Sequence, residues 1–186
     1  MDRVGDYLDA VAGLLAQVSR EDIRKVADLV LDSYKSQKQV FIMGNGGSAA
    51  TASHLACDLQ KSIGCAADKK FKVMAVTDNV PLMTAWANDF DYSDIFAGQL
   101  STWVESGDLV IAISGSGNSP NVIKGVELAN DKGAITVGLS GFKGGRLAQV
   151  AKHNIIVGSD NMQHIEDVHL VVGHLIFRYV LEETAA

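Results

Sequence analysis

Two predicted helices carry histidine and carboxylate side chains at spacings that suit metal binding and proton transfer. His54 and Asp58 are four residues apart, so they share one face of a helix. Glu166 and His174 are eight residues apart on the last predicted helix and again lie nearly on one face. Two imidazoles and two carboxylates form an N/O ligand set suited to zinc, and a carboxylate paired with an imidazole suits general acid-base catalysis. A single helical histidine more often has a packing role, so the prediction depends on the pairing.

A glycine-rich segment, Gly44-Asn45-Gly46-Gly47-Ser48, precedes the helix that carries His54 and is called the glycine loop (residues 44–48). Successive small residues before a helix leave backbone N–H groups exposed at the helix N-terminus, where they can bind an anion. The alternative interpretation is a tight turn that needs positive φ angles. The sequence therefore offers this loop as one candidate anion site.

A second segment, Ser114-Gly115-Ser116-Gly117-Asn118-Ser119, is called the serine loop (residues 114–119) and is followed by Pro120, a residue favoured in the first turn of a helix. Its three hydroxyls and its amides again surround a helix start. Neither loop matches G-x-G-x-x-G or ends in the G-K-[ST] of a P-loop, which disfavours nucleotide hydrolysis. Serines without a lysine favour a single phosphate monoester as the ligand.

These loops are positioned by alternating strands and helices. The predicted strands are apolar runs at 39–43, 71–76, 108–113, 134–139 and 154–157. Continuous apolar strands separated by helices predict a parallel sheet covered on both faces, an α/β three-layer sandwich. Two amphipathic helices precede the sheet, and Ser19 with Asp22 marks the start of the second. The chain of 186 residues is predicted to form a single domain, with the helical pair at 1–37 and the α/β core at 38–186.

The composition excludes several classes of function. The net charge is −6 and the sequence has no cluster of lysine and arginine, which argues against direct nucleic-acid binding. No apolar run approaches the roughly 20 residues that span a bilayer, so no membrane association is expected. Cys57 and Cys65 lack disulfide or metal spacing, and the acidic N-terminus does not resemble a signal peptide, so a cytoplasmic location is expected.

A combination of motifs resembles the sugar isomerase (SIS) domain family, and within it the sedoheptulose 7-phosphate (phosphoheptose) isomerases. The combination comprises GNGGS, the H-x-x-x-acid helix after it, AxANDF, ISxSGNS and the C-terminal IE-x-x-H-x-x-x-x-H, and it covers nearly the whole chain. The resemblance implies a five-stranded sheet in flavodoxin-like order. It also implies homotetramers with active sites at subunit interfaces, to which the helices at 1–37 would contribute contacts.

The resemblance also implies roles for individual residues. The glycine loop would line the sugar phosphate site through Asn45, Gly46, Gly47 and Ser48. Asn88 and Asp89 would contact substrate hydroxyls, and Glu166 would also face the substrate. The phosphate would be held by Ser114, Gly115, Ser116 and Ser119. The family usually has threonine where this chain has Gly115.

In the family, the positions of His54, Asp58, Glu166 and His174 hold histidine, glutamate, glutamine and histidine, which bind zinc and transfer protons. The resemblance thus implies a zinc cofactor and conversion of sedoheptulose 7-phosphate to D-glycero-D-manno-heptose 7-phosphate through an enediol. Our hypothesis assigns Asp58 as the general base and His174 as the acid. Aspartate is one methylene shorter than glutamate, which moves the carboxylate by about an ångström, and catalysis is sensitive to such displacements.

Two other functions are compatible with the sequence. One is a non-catalytic SIS protein that senses a sugar phosphate, or an adaptor that associates with the replication initiator. The other is an isomerase for a pentose or hexose phosphate, because the same loops and acid-base groups could serve either sugar.

Overall fold

The computed structural model describes residues 2–63, 65 and 69–185. Within these residues the α-helices are α1 (Arg3–Gln17), α2 (Arg20–Lys35), α3 (Gly47–Cys57), α4 (Val80–Asp89), α5 (Ala97–Trp103), α6 (Pro120–Asp131), α7 (Leu147–Val150) and α8 (Met162–Ala185). The strands are β1 (Val40–Gly44), β2 (Val73–Ala75), β3 (Leu109–Ser114), β4 (Ile135–Gly141) and β5 (His153–Val157). None of the helices in these ranges is long and apolar enough to cross a membrane.

The strands form one parallel sheet in the order β2-β1-β3-β4-β5. Ile42 of β1 lies beside Ala75 of β2 and Ile111 of β3 in this register. All residues of β1 and β3 are buried, because helices cover both faces of the central strands. The predicted five-stranded sheet and its order are confirmed.

Two hydrophobic cores lie on the two faces of the sheet. Alternate strand residues such as Ile42 and Ile111 pack with α1, α2, α3 and α8 in one core. Their neighbours, such as Phe41 and Val110, pack with α4, α5, α6 and α7 in the other. The period-two alternation of side chains along each strand produces both cores, and it confirms the predicted three-layer sandwich.

The N-terminal helical pair is present as predicted. Ser19 caps α2 by accepting a hydrogen bond from the Asp22 backbone N–H at 3.1 Å. Residues of α2 such as Val26 and Val30 are fully buried, whereas no residue of the described helix α1 is buried. Helix α1 therefore covers only part of the neighbouring apolar surface.

The helix after the glycine loop differs from its predicted form. Residues 49–60, which follow the glycine loop, have a sequence typical of a regular helix, but α3 ends at Cys57 and a π-helical segment runs over Asp58–Ile63. The wider winding keeps Leu59 and Ile63 together in the core, where both have no exposed surface. Single π-helical turns are frequent at functional sites, and this one begins at a predicted site residue, Asp58.

Candidate functional site

The glycine loop and the serine loop lie side by side at the carboxyl edge of the sheet. They follow β1 and β3, which are neighbours in the sheet. The chain then enters α3 on one face and α6 on the other, so the connections diverge between the two loops. Such a divergence forms a crevice where α/β proteins bind ligands.

A cavity of about 270 Å³ occupies this crevice and is called the loop cavity. It is lined by Asn45, Gly46, Gly47, Ser48, Ser114, Gly115, Ser116, Ser119, Met162 and Glu166. The structure therefore brings together the predicted residues of both loops and Glu166. Met162 is the lining residue that sequence reasoning missed, because nothing in the sequence indicates which side chain of the last helix leans over the serine loop.

Both loops present hydrogen-bonding groups to the loop cavity. The Oγ atoms of Ser114 and Ser119 are 3.0 Å apart, so the two hydroxyls converge. Gly46 precedes α3 with a φ of 56°, a left-handed conformation that favours glycine. Among the described residues, no side chain caps α3, which leaves its first N–H groups available to an anion. Helix α6 begins with Pro120, which has no N–H group, and the Val122 N–H donates to Oδ1 of Asn121. The cavity is suited to a small phosphate ester.

Two side chains of α8 form the remaining wall of the cavity. A Cβ atom at Gly47 would collide with the carboxylate of Glu166, and a Cβ atom at Gly115 would collide with the sulfur of Met162. The two glycines thus leave the space that these side chains fill. A threonine at position 115, as the resembling family usually has, would need the Met162 side chain to move.

A second group of predicted residues forms the His–Asp–His cluster, which consists of His54, Asp58 and His174. The Nε2 atoms of His54 and His174 are 3.1 Å apart. The Asp58 Oδ2 atom lies 3.3 Å from Nε2 of His54 and 4.0 Å from Nε2 of His174. About half of each histidine side chain is exposed, so the cluster is accessible from solvent.

The geometry of this cluster fits a tetrahedral metal ion. One potential ligand atom from each residue lies within 4.8 Å of the other two. Bonds of about 2.0–2.1 Å to zinc place tetrahedral ligand atoms about 3.3 Å apart, close to two of the three separations here. Three protein ligands with an open fourth position are typical of catalytic zinc sites. Glu166, the fourth predicted ligand, is not part of this cluster, because its carboxylate lies over Gly47 in the loop cavity.

The remaining predicted residues lie elsewhere. Asn88 and Asp89 end α4, where the Asn88 side chain donates to Asp89 at 2.8 Å, and neither lines the loop cavity. His169, between Glu166 and His174 on α8, is buried against the sheet and not in the cluster. Its Nε2 lies 3.2 Å from the Ser140 carbonyl oxygen, and burial lowers its pKa to about 4.

The loop cavity and the cluster are arranged along the same two helices. Helix α3 begins at the cavity and carries His54 near its end, while α8 contributes Glu166 to the cavity and His174 to the cluster. Glu166 and His174 are eight residues apart on α8, which is about 12 Å at 1.5 Å per residue. The loop cavity and the cluster are therefore reached from residues about two helical turns apart on α8.

Such a fold, with a phosphate-sized cavity at the switch point of its sheet, defines an α/β protein that binds sugar phosphates. The SIS domain family model matches residues 6–141, and the chain belongs to this family, within its phosphoheptose isomerase branch. It is 39% identical to the phosphoheptose isomerase of Rhodospirillum rubrum over 94% of this chain and 86% of that protein. It is 37% identical to the phosphoheptose isomerase of Akkermansia muciniphila over 97% of this chain and 92% of that protein.

A solved structure supports the same relationship. The phosphoheptose isomerase of Neisseria gonorrhoeae superposes with a TM-score of 0.89 at 25% identity, covering 96% of this chain and 97% of that one. The similarity therefore extends over the helical pair, the sheet and α8 together. The family membership and the fold expected from the sequence motifs are both confirmed.

Proposed function

We propose that this protein is an aldose-ketose isomerase that converts sedoheptulose 7-phosphate to D-glycero-D-manno-heptose 7-phosphate. The observation that carries the proposal is the placement of the loop cavity and the His–Asp–His cluster on shared helices, about 12 Å apart along α8. The identity to phosphoheptose isomerases over nearly the whole chain supports it.

The separation favours a long sugar. An extended chain advances about 1.2 Å per bond, as the protein backbone does at roughly 3.6 Å per three-bond residue. Eight bonds join C1 to the phosphorus of a heptose 7-phosphate, which gives a span of about 10 Å by the same measure. The corresponding six bonds of a pentose 5-phosphate give about 7 Å. By this measure a heptose 7-phosphate with its phosphate in the loop cavity extends about 3 Å further than a pentose 5-phosphate does.

The reaction needs a proton removed from C1 and returned at C2, with proton exchange between the two oxygens. Asp58 is the proposed base for the carbon-bound proton, through the carboxylate oxygen that would not bind the metal, and His174 is the proposed acid for the oxygens through Nδ1, because its Nε2 lies in the cluster. Zinc is the proposed cofactor, held by His54, Asp58 and His174, and it would supply electrophilic polarisation of the substrate oxygens. The location of Glu166 supports a role at the sugar phosphate in preference to the metal.

Further parts of the proposal concern the assembly. We propose a homotetramer in which neighbouring copies complete each site, with Asn88 and Asp89 contributing to the sugar hydroxyls. Exposed apolar side chains on α1 and α8 support self-association. The proposed location is the cytoplasm, which is supported by the exposed free cysteines Cys57 and Cys65.

The test is turnover of sedoheptulose 7-phosphate followed by NMR, with metal analysis of the purified protein. We expect Asp58→Asn and His174→Gln each to lower kcat by about 10²- to 10⁴-fold, as for the loss of an acid-base group. The matched control is Glu182→Gln, an exposed acid on α8 paired with Arg178, which should leave kcat unchanged. Chelation should remove activity and added zinc should restore it.

Three outcomes would contradict the proposal. Absence of turnover with and without zinc, with sugar phosphate binding retained, would favour the non-catalytic sensor. Faster turnover of a pentose or hexose phosphate than of sedoheptulose 7-phosphate would identify that sugar as the substrate. Full activity of both Asp58→Asn and His174→Gln would contradict the assignment of Asp58 as the base and His174 as the acid.

A further inference from the structure

Asn45 of the glycine loop makes side-chain hydrogen bonds to two segments that are distant in sequence. Its Nδ2 donates to Oδ1 of Asn121 at 2.8 Å, and its Oδ1 accepts from Nδ2 of Asn121 at 2.9 Å. The Tyr92 hydroxyl also donates to Oδ1 of Asn45, at 3.2 Å. The side chain therefore joins the glycine loop to the start of α6 and to the segment after α4.

The orientation of both amides is fixed by the backbone. The Val122 N–H donates to Oδ1 of Asn121 at 2.9 Å, which identifies that atom as an acceptor. Nδ2 of Asn121 must then face Asn45, and the atom that it meets must be an oxygen. The two amides consequently form a reciprocal pair with one consistent arrangement of donors and acceptors.

This pairing uses most of the hydrogen-bonding capacity of Asn45. Both acceptor positions of Oδ1 and one of the two N–H groups of Nδ2 are engaged within the protein. Asn121 is 1% exposed, so no ligand in the loop cavity can reach its side chain. A direct contact between the Asn45 amide and a sugar phosphate would have to compete with these internal bonds.

The pair joins the two segments that form the loop cavity. Asn45 lies in the glycine loop, and Asn121 follows Pro120 at the start of α6, directly after the serine loop. The pair therefore sets the distance between the amides at Gly46 and Gly47 and the hydroxyls of the serine loop. An anion held between two loops depends on that distance, because displacements of about 1 Å at a site can cost 100-fold in rate.

We infer that Asn121 is a positioning residue that fixes the separation of the two phosphate-binding loops through Asn45. In this arrangement the Asn45 side chain serves the loops and not the substrate, and Tyr92 reinforces it from the segment that follows Asn88 and Asp89. The inference rests on the proposed function for its ligand, and it adds a residue that the sequence motifs did not single out.

The test is a double-mutant cycle on the affinity for sedoheptulose 7-phosphate, using Asn45→Ala, Asn121→Ala and the double variant. If both residues act through their shared bonds, each single variant weakens binding by about tenfold and the double variant is within about twofold of either. If Asn45 contacts the substrate itself, its loss costs more than that of Asn121 and the effects multiply. The second result would overturn the inference.

A readout without ligand separates this inference from the proposed function. Amide hydrogen exchange should accelerate at both residues 44–48 and residues 114–119 in Asn121→Ala. The control is Asn79→Ala, whose side chain caps α4 by accepting from the Leu82 N–H and has no hydrogen bond to either loop among those found in the described residues, so it should leave exchange of both loops unchanged. If exchange of the two loops is unchanged in Asn121→Ala, the inference is overturned, whether or not the protein is an isomerase. If the wild-type protein does not bind the sugar phosphate, only the proposed function is overturned.

A more conservative variant, Asn121→Asp, tests the same inference if Asn121→Ala does not fold. Asn121→Asp keeps the size of the side chain and its acceptor contacts to Asn45 and Val122, but it cannot donate to Oδ1 of Asn45. We expect its thermal stability to stay closer to wild type than that of Asn121→Ala, with weakened sugar phosphate binding and faster exchange of both loops. Wild-type affinity in a folded Asn121→Asp protein would contradict the positioning role.

Discussion

Glu166 places a carboxylate in the wall of a cavity that is otherwise suited to an anion. Its side chain lies over Gly47, at the N-terminus of α3, where the helix dipole favours negative charge. A bound phosphate would occupy the same region and would be repelled by this carboxylate. We therefore expect Glu166 to lower the affinity for a phosphate ester.

Replacement of Glu166 by glutamine should remove this repulsion. We expect Glu166→Gln to bind inorganic phosphate about fivefold more tightly, since a partly exposed charge pair is worth about 1 kcal/mol. Calorimetric titration with phosphate would measure the change. Zinc affinity should stay within about twofold of wild type if the His–Asp–His cluster holds the metal. A large loss of zinc affinity in Glu166→Gln would instead indicate that Glu166 is a zinc ligand.

His169 gives folding a defined pH dependence. Burial lowers its pKa to about 4, whereas an unfolded histidine titrates near 6.5. Between these values the unfolded chain binds a proton that the folded chain does not, so the free energy of unfolding falls as the pH drops below about 6.5. The contribution lost at pH 5 is about 2 kcal/mol.

Urea denaturation at pH 7.5 and pH 5 would test this effect in the wild type and in His169→Gln. Glutamine does not titrate and keeps an N–H group for the Ser140 carbonyl, so the variant should lose less stability between the two pH values. The same pH dependence in both proteins would assign the effect to other groups.

At the level of elements, the serine loop is supported by the segment after β4. The Leu147 N–H donates to the Gly117 carbonyl at 2.8 Å, and the Arg146 N–H donates to Oδ1 of Asn118 at 3.0 Å. Gly117 adopts a φ of 67°, and a Cβ atom there would collide with the Gly144 backbone. The shape of the serine loop thus depends on a glycine that is not among the residues lining the loop cavity.

Alanine at this position should destabilise the protein. We expect Gly117→Ala to lower the free energy of unfolding by about 1–3 kcal/mol, because the left-handed conformation and the backbone overlap both oppose a side chain. Gly158→Ala is the control, since a Cβ atom at Gly158 meets nothing within 4 Å, and it should change stability by less than about 0.5 kcal/mol. Equal urea midpoints for the two variants would contradict this account.

For the whole molecule, helices α1 and α8 expose several large apolar side chains to solvent. Val4 and Leu8 on α1 are 71% and 62% exposed, and Val171 and Leu175 on α8 are also exposed. A groove of about 760 Å³ between α1, α2 and α8 adds to this surface. Val171 and Leu175 line this groove, and exposed apolar surface of this kind often marks an interface.

A charge on this surface should disrupt self-association. We expect Leu175→Glu to lower the molecular mass measured by light scattering below that of the wild type, because a buried unpaired carboxylate is costly in an interface. Val80→Glu places the same charge on an exposed residue at the start of α4 and should leave the mass unchanged. A wild-type protein that is monomeric throughout would contradict the proposed tetramer.

Much of this arrangement could be predicted from the sequence. The apolar runs predicted all five strands, and Ser19 and Pro120 marked helix starts that the structure confirms, because these signals arise from local backbone and capping preferences. The loops could be identified because glycine lets backbone amides approach a ligand closely and serine adds a hydroxyl that can bind it. The spacing of His54 and Asp58 was enough to place both on one helix face, since helical geometry is periodic.

The tertiary structure alone decided which distant residues meet. Glu166 and His174 lie on one helix, yet the packing of α8 against α3 directs the first to the loop cavity and the second to the cluster. Asn45 and Asn121, which form the reciprocal pair, are 76 positions apart in the sequence. The packing of Met162 against Gly115 is likewise not indicated by any local sequence pattern. Sequence patterns report the periodicity of single elements, whereas contacts between elements depend on how their side chains interdigitate across the fold. The sequence therefore determined the family, the sheet and the two loops, and the packing of α3, α6 and α8 determined how their residues are divided between the loop cavity, the His–Asp–His cluster and the Asn45–Asn121 pair.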